Sequence, residues 1–242
     1  MPRFQSKLID RFEVAEGTIS FAFERPAGFD FTAGQFMTIT LPEPSYNDEK
    51  GNRRTFSIAS PPQETGFLLI ATRMTGSALK RSLAEMPLGS PVSVLGPAGY
   101  FTLHADSAVP AVFIAGGIGI TPFRSMVLDA ASRQLPYRIT LIYSNRVPEG
   151  AAFSEELARA AETDANLTYV PTMTQADASR LAWNGERRLV DAQFLRDYVS
   201  DMTGPIFYVA GPPGLVAAVV RTVLDAGADP AHIRSEEFEG YK

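Results

Sequence analysis

Residues 111–122 constrain the fold of this chain more than any other segment. Ala111-Val112-Phe113-Ile114-Ala115 is a continuous apolar run, and Gly116-Gly117-Ile118-Gly119-Ile120-Thr121-Pro122 follows it directly. A strand apolar at every position is buried on both faces, as in a parallel sheet covered by helices. Glycines after such a strand permit a tight turn and a close backbone approach. Thr121 suits a helix N-cap and Pro122 the first helical position. The pattern predicts strand, turn and helix, with the positive end of the helix aimed at an anion such as a pyrophosphate. The same residues also read as a Gly-rich βα turn that holds no ligand.

Strands and helices alternate through the rest of this half. Strands are expected at 138–143, 167–172, 206–210 and 232–235, and helices at 122–133, 154–162, 191–199 and 213–226. That order specifies an α/β doubly wound parallel sheet, which binds ligands at the carboxyl ends of its strands. Tyr208-Val209-Ala210-Gly211-Pro212-Pro213-Gly214 repeats the strand-then-turn pattern. It would close a crevice beside the first turn, or form only a loop with a helix-starting proline. After the strand at 138–143 comes Ser144-Asn145-Arg146. No acidic residue stands there for a ribose diol, and Ser and Arg suit a 2′-phosphate. Arg146 capping a solvent loop is the plainer alternative.

Residues 1–105 have a different period. Segments 18–24 and 35–41 alternate apolar and polar, and 55–59, 66–73 and 91–95 are further strand candidates. Glycines and prolines punctuate them, and one helix, 77–85, interrupts. Short strands with frequent turns specify an antiparallel β-barrel. Within Arg53-Arg54-Thr55-Phe56-Ser57-Ile58-Ala59-Ser60, an extended backbone puts Arg54 and Phe56 on one face and Thr55 and Ser57 on the other. Arginine, aromatic and hydroxyls together suit a phosphate and a planar ring; a half-exposed edge strand is the alternative. Gly76-Ser77 opens the helix and offers amides and a hydroxyl to a second phosphate, or acts as an N-cap alone. The chain thus divides into a barrel, 1–105, and an α/β unit, 106–242, with a linker near 104–110.

Composition removes whole classes of chemistry. There is no cysteine, so disulfides, thiolate zinc sites, cysteine nucleophiles and cysteine-ligated iron–sulfur clusters are excluded within the chain. His104 and His232, the only histidines, lie far apart in sequence, which argues against a His-based metal site or a Ser-His-Asp triad. No metal is expected. The net charge of −5 is spread without a basic half, so no nucleic-acid partner is expected. No apolar run approaches membrane-spanning length. The N-terminus lacks a signal-like apolar region, giving a cytoplasmic expectation.

Arg54-x-Phe56-Ser57, Gly76-Ser77, Gly96-Pro97-Ala98-Gly99-Tyr100-Phe101, the Gly116–Pro122 segment and Gly211-Pro212-Pro213, in this order, resemble the ferredoxin–NADP reductase-like flavoprotein family. The resemblance covers essentially the whole chain. It implies an FAD-binding barrel followed by an NAD(P)-binding domain. It further implies that Arg54 pairs with the flavin phosphate and that Phe56 packs on the flavin. Ser57 would bond near the flavin N5, with Thr55 beside it. Ile70, Ala71 and Thr72 would border the flavin through their backbone, and Gly76 and Ser77 would hold the pyrophosphate. Gly116, Gly117, Gly119, Thr121, Pro122, Ser144, Asn145, Arg146, Gly211, Pro212 and Pro213 would bind NADP or NAD, with Thr121 at the nicotinamide end. Ala210 stands where relatives commonly have cysteine.

The implied function is an FAD-dependent NAD(P)H reductase. A hydride passes from NAD(P)H to FAD N5, and single electrons pass to an external acceptor protein such as ferredoxin or flavodoxin. A flavin-bearing electron-channelling or regulatory subunit of a larger complex is the alternative. Residues 144–146 favour NADPH over NADH. Ser57, Thr121 and Glu237 are the catalytic candidates. Glu237 stands in the tail that follows the last strand, Glu236 is the next choice, and Tyr241 would shield the ring.

Overall fold

The computed structural model describes residues 1–238. Six strands of the first half pair antiparallel: β1 (Arg3–Ala15), β2 (Thr18–Glu24), β3 (Phe36–Thr40), β4 (Arg53–Ser57), β5 (Phe67–Arg73) and β6 (Pro91–Ala98). Their spatial order is β4-β3-β6-β1-β2-β5. Just past β4, the Ala59 N–H donates to the Leu69 carbonyl of β5 at 2.7 Å, so the outer ends of the sheet meet in a barrel-like form. Alternate residues point inward, and Phe21, Phe23, Met37, Ile39, Ile70 and Val94 fill the interior. Helix α1 (Ala78–Glu85) adds Leu79 and Leu83, one turn apart, to the same core.

β1 is a strand that the apolar pattern does not announce. Its inward-facing Ser6 donates to the Glu24 carbonyl at 2.6 Å, and Leu8 is its one fully buried apolar side chain. It nevertheless lies at the centre of the sheet, paired with β6 through residues 3–7 and with β2 through residues 8–15. Ladder hydrogen bonds on both sides hold a strand whose side chains give little hydrophobic signal. β4 also begins and ends two residues before the expected 55–59.

The second half forms one parallel sheet in the order β11-β10-β7-β8-β9. Its elements are β7 (Ala111–Gly116), α2 (Ile120–Ser132), β8 (Ile139–Asn145), α3 (Ser154–Thr163), β9 (Leu167–Met173), α4 (Ala192–Tyr198), β10 (Ile206–Gly211), α5 (Pro213–Asp225) and β11 (Ile233–Glu237). All six residues of β7 are buried at the sheet centre. Phe113 and Tyr208 join one face with Phe123 of α2, while Val112, Ile114, Phe207 and Val209 join the other with α4 and α5.

Thr121 is not the helix N-cap. A 3₁₀ turn, Gly117–Gly119, runs straight into α2, and the Ile120 N–H donates to the Gly117 and Ile118 carbonyls. Gly117, at φ +51°, turns the chain directly into the helix, so no capping side chain intervenes. Thr121 lies inside the first turn, where its Oγ1 donates to the Ile118 carbonyl at 3.1 Å. Pro122 is the third residue of α2 rather than its first. Its missing N–H still falls where a helix has no internal acceptor to satisfy.

α2 also joins the two sheets. Arg124 Nη1 donates to the Ala59 carbonyl at 2.6 Å while its guanidinium pairs with Glu156. The Ser125 hydroxyl donates to the Ser60 carbonyl at 2.7 Å. The segment between the sheets is held as well, because the His104 N–H and ring Nδ1 both meet the Tyr208 hydroxyl at 2.9 Å.

Candidate active site

A cleft of about 490 Å³ opens between the sheets. β4 contributes Arg54, Thr55, Phe56 and Ser57, β5 contributes Ala71, and the start of α1 contributes Ser77 and Lys80. The second sheet supplies Ile118, Thr121, Glu236, Glu237 and Phe238. Four consecutive residues of β4, the last strand in the order of its sheet, reach the cleft.

One end of the cleft is cationic. Arg54 donates to the carbonyls of Lys50, Gly51 and Arg53 at 2.6–3.0 Å and to the Asp48 carboxylate at 3.1 Å. Ser77 caps α1, accepting the Lys80 N–H at 3.5 Å, and Gly76 takes φ +76° to set the helix entry. Lys80 is 9% exposed, and its ammonium donates to the Arg73 carbonyl at 2.8 Å and the Thr75 hydroxyl at 3.2 Å. Burial, helped by the charges of Arg54 and Lys50, draws its pKa down to about 8. The composition of the helix does not single Lys80 out, since it is one of three charged residues of α1, with Arg81 and Glu85, and such residues normally face solvent.

The other end holds a carboxyl. The Ser57 hydroxyl donates to Glu236 Oε2 at 3.4 Å, and burial pushes the Glu236 pKa up to about 7. Of the two tail glutamates, the structure brings Glu236, the second choice from the sequence, to Ser57. Both border the cleft, but Glu236 meets Ser57, and Glu237 is exposed. Parallel pairing sets Glu236 opposite Ala210 and Glu237 opposite Gly211, and neighbouring residues of a strand face opposite ways. The Phe238 N–H then donates to the Gly211 carbonyl at 2.8 Å, which fixes the end of β11 beside the cleft. Tyr241 lies outside the described residues.

Gly119 and Gly211 let the two turns pack closely. A Cβ on Gly119 would come within 2.2 Å of the Ala210 carbonyl oxygen, so the Gly116–Gly119 turn and the Gly211 turn lie backbone against backbone. Gly117 has a different neighbour: a Cβ there would sit 3.0 Å from a guanidinium nitrogen of Arg73. Arg73, the last residue of β5, thus reaches across from the barrel to the nucleotide-type turn, with no carboxylate paired to it among the described residues. It follows Ile70, Ala71 and Thr72 immediately, and its position ahead of Gly76-Ser77 was the available signal.

The remaining candidates separate. Ile70 is 0% exposed inside the barrel core, Thr72 is 0% exposed, and Ala71 alone of the three borders the cleft. Ser144 pairs with Gly116 at the carboxyl edge of the parallel sheet; Asn145 is buried and Arg146 exposed beside it. Pro212 and Pro213 start α5 at the same edge. None of these five lines the cleft that holds Ser57. Among the described residues, no group of three or more His, Asp or Glu side chains is arranged to hold a metal ion, and no helix is long and apolar enough to cross a membrane.

Residues 113–221 match the family model of the oxidoreductase NAD-binding domain. Over 98% of both lengths, the chain is 27% identical to ferredoxin–NADP reductase B of Sorangium cellulosum. It is 28% identical to DmpP, the reductase component of phenol 2-monooxygenase of a Pseudomonas species, covering 96% of this chain and 64% of that one. The crystal structure of a ferredoxin NADP+ reductase from Neisseria gonorrhoeae, with bound FAD and NADP, superposes with a TM-score of 0.79 over 97% of this chain and 98% of that chain, at 22% identity. A barrel joined to a parallel sheet, with a cleft between them bordered by Arg54, Phe56 and Ser57, accompanies this similarity, which runs along the full length of a ferredoxin–NADP reductase.

Proposed function

We propose that this protein is an FAD-dependent NAD(P)H reductase that feeds an external one-electron acceptor protein, such as ferredoxin or flavodoxin. One observation carries the reading. The cleft joins a cationic, helix-terminated end at Arg54, Lys80 and Ser77 to an aromatic and acid–base end at Phe56, Ser57 and Glu236. A phosphate-bearing flavin needs those two ends in that order, so the residues present fit the group. Residues 1–105 then form the flavin unit and 106–242 the nucleotide unit. The compartment proposed is the cytoplasm, where the nucleotide and such acceptors are available.

Arg54, Lys50 and the first amides of α1 would hold the flavin phosphates, and Phe56 would lie against the ring. Bound there, the flavin supplies the two-electron to one-electron conversion that links NAD(P)H to its acceptor. The Ser57 hydroxyl and the Glu236 carboxyl would stand at the reacting edge. Glu236 holds its proton to about pH 7 and can pass it through Ser57. Thr121 and Ile118, which line the cleft on the side of the second sheet, would border the nicotinamide and exclude water there. Arg73, with no carboxylate paired to it among the described residues, would take the nucleotide pyrophosphate beside Gly117. Holding two reactants in register can contribute several of the roughly 7–11 kcal/mol available from proximity. Ser144 and Arg146 favour NADPH through its 2′-phosphate.

The test is an anaerobic stopped-flow experiment on the purified protein, with mass spectrometry of the released flavin. FAD that bleaches with NADPH faster than with NADH, and is reoxidised by a ferredoxin or flavodoxin, is the expected result. Release of FMN alone refutes the cofactor assignment, and a flavin that neither nucleotide reduces refutes the activity.

A further inference from the structure

The donors assigned to the flavin phosphate already share an anion supplied by the chain itself. Asp48 Oδ1 lies 3.1 Å from Arg54 Nη2, and Asp48 Oδ2 accepts the Ala78 N–H, the first amide of α1, at 3.0 Å. One carboxylate thus joins the arginine of β4 to the start of α1. Charged guanidinium and helix N-terminus are the two donor types that recognise phosphate oxygens. These hydrogen bonds hold the carboxyl below its ordinary pKa, so it is an anion at neutral pH.

The loop that carries Asp48 is anchored on both sides of it. Asn52 Nδ2 donates to the Leu41 carbonyl at 2.7 Å, closing the base of the loop. The Tyr46 N–H donates to the Ser82 hydroxyl at 3.0 Å, and its phenol donates to Glu85 at 2.7 Å. The Arg81 guanidinium lies 3.8 Å from the centre of the Tyr46 ring. The segment between these anchors, 47–51, carries the carboxylate and turns at Gly51 with φ +69°. A shift of that short segment would free Arg54 and Ala78 while leaving the loop attached to α1.

Resting on the flavin reading above, we propose that Asp48 is an internal competitor for the flavin phosphate and thereby sets how strongly this chain distinguishes phosphorylated flavins from riboflavin. A phosphate brings more charge and more acceptor oxygens than a carboxylate and takes over the shared donors. The exchange lowers the net affinity for FAD and FMN. Riboflavin has no phosphate and does not compete with Asp48. The flavin is consequently held less tightly than its donor set alone would give, and is exchangeable.

Full-length protein stripped of flavin would be titrated with FAD, FMN and riboflavin, following the quenching of flavin fluorescence. Asp48→Asn removes the charge but keeps an oxygen for the Ala78 amide. It should tighten FAD and FMN about tenfold, the effect of one charge-assisted contact, and leave riboflavin unchanged. Asp48→Ala is the second variant, and a melting curve of each checks folding. Unchanged or weaker FAD binding in both variants overturns the proposal, because Asp48 then only shapes the loop. Equal tightening of riboflavin overturns it too. Wild-type protein that binds none of the three flavins removes the flavin reading itself, whereas wild-type binding with unresponsive variants removes Asp48 alone.

Discussion

Glu236 is a carboxyl whose burial raises its pKa from 4.5 to about 7, with the Ser57 hydroxyl as its partner. The folded protein therefore holds this proton more tightly than the unfolded chain does. The stability linked to it is complete below pH 4.5 and is lost as the pH rises through about 7. Glu236→Gln should flatten that loss between pH 5 and 8 in denaturant titrations. It should also abolish an inflection near pH 7 in the rate of flavin reduction; an unaltered pH–rate profile would remove Glu236 from the mechanism. Arg54→Ala should weaken FAD retention about 10- to 100-fold, the range of a charge-assisted contact worth roughly 1.5–3 kcal/mol. Arg73→Ala should raise KM for NAD(P)H and leave FAD content unchanged. Arg54, Phe56 and Ser57 were legible because their spacing fits a strand and their chemistry fits a phosphate and a ring. Arg73 and Lys80 were not, since a lone basic residue takes its meaning from a neighbour distant in sequence: Gly117 for Arg73, and Arg54 with Lys50 for Lys80.

Among the elements, those of the parallel sheet were the most legible. β7 is buried on both faces, so every residue is apolar and the pattern has one reading. β1 was illegible for the opposite reason: its place depends on backbone pairing with β2 and β6, while Ser6 occupies an inward position. The start of α2 differs from the sequence pattern because a Thr-Pro pair imitates a cap, whereas Gly117 makes the turn and the helix begins directly after it. α2 also carries the main tie between the sheets, and this can be tested. Arg124 is nearly buried, donates to the Ala59 carbonyl and pairs with Glu156. Arg124→Ala leaves that carbonyl and the carboxylate short of a donor, so it should destabilise the protein by about 1–3 kcal/mol in urea denaturation. A loss below about 0.5 kcal/mol would mean that water replaces the guanidinium there and that Ser125 and the buried surface hold the sheets together.

At the scale of the whole molecule, the cleft belongs to neither sheet alone. Arg54, Phe56 and Ser57 come from the barrel, whereas Thr121, Glu236 and Phe238 come from the parallel sheet. A ligand that fills the cleft touches both, and its binding energy is lost if either unfolds. The ties through Arg124, Ser125 and His104 couple the sheets further. Thermal unfolding should therefore be a single transition that moves as a whole with FAD. Free FAD at 100 times its dissociation constant contributes about 2.7 kcal/mol. Each kcal/mol moves the midpoint of a chain of this size by roughly 2–4 °C. The expected rise is then about 5–11 °C in differential scanning calorimetry, with one peak before and after addition. Two peaks, of which FAD moves only one, would show that the cofactor draws its affinity from a single sheet. In that case the contacts assigned to Thr121 and Glu236 would contribute nothing to holding it.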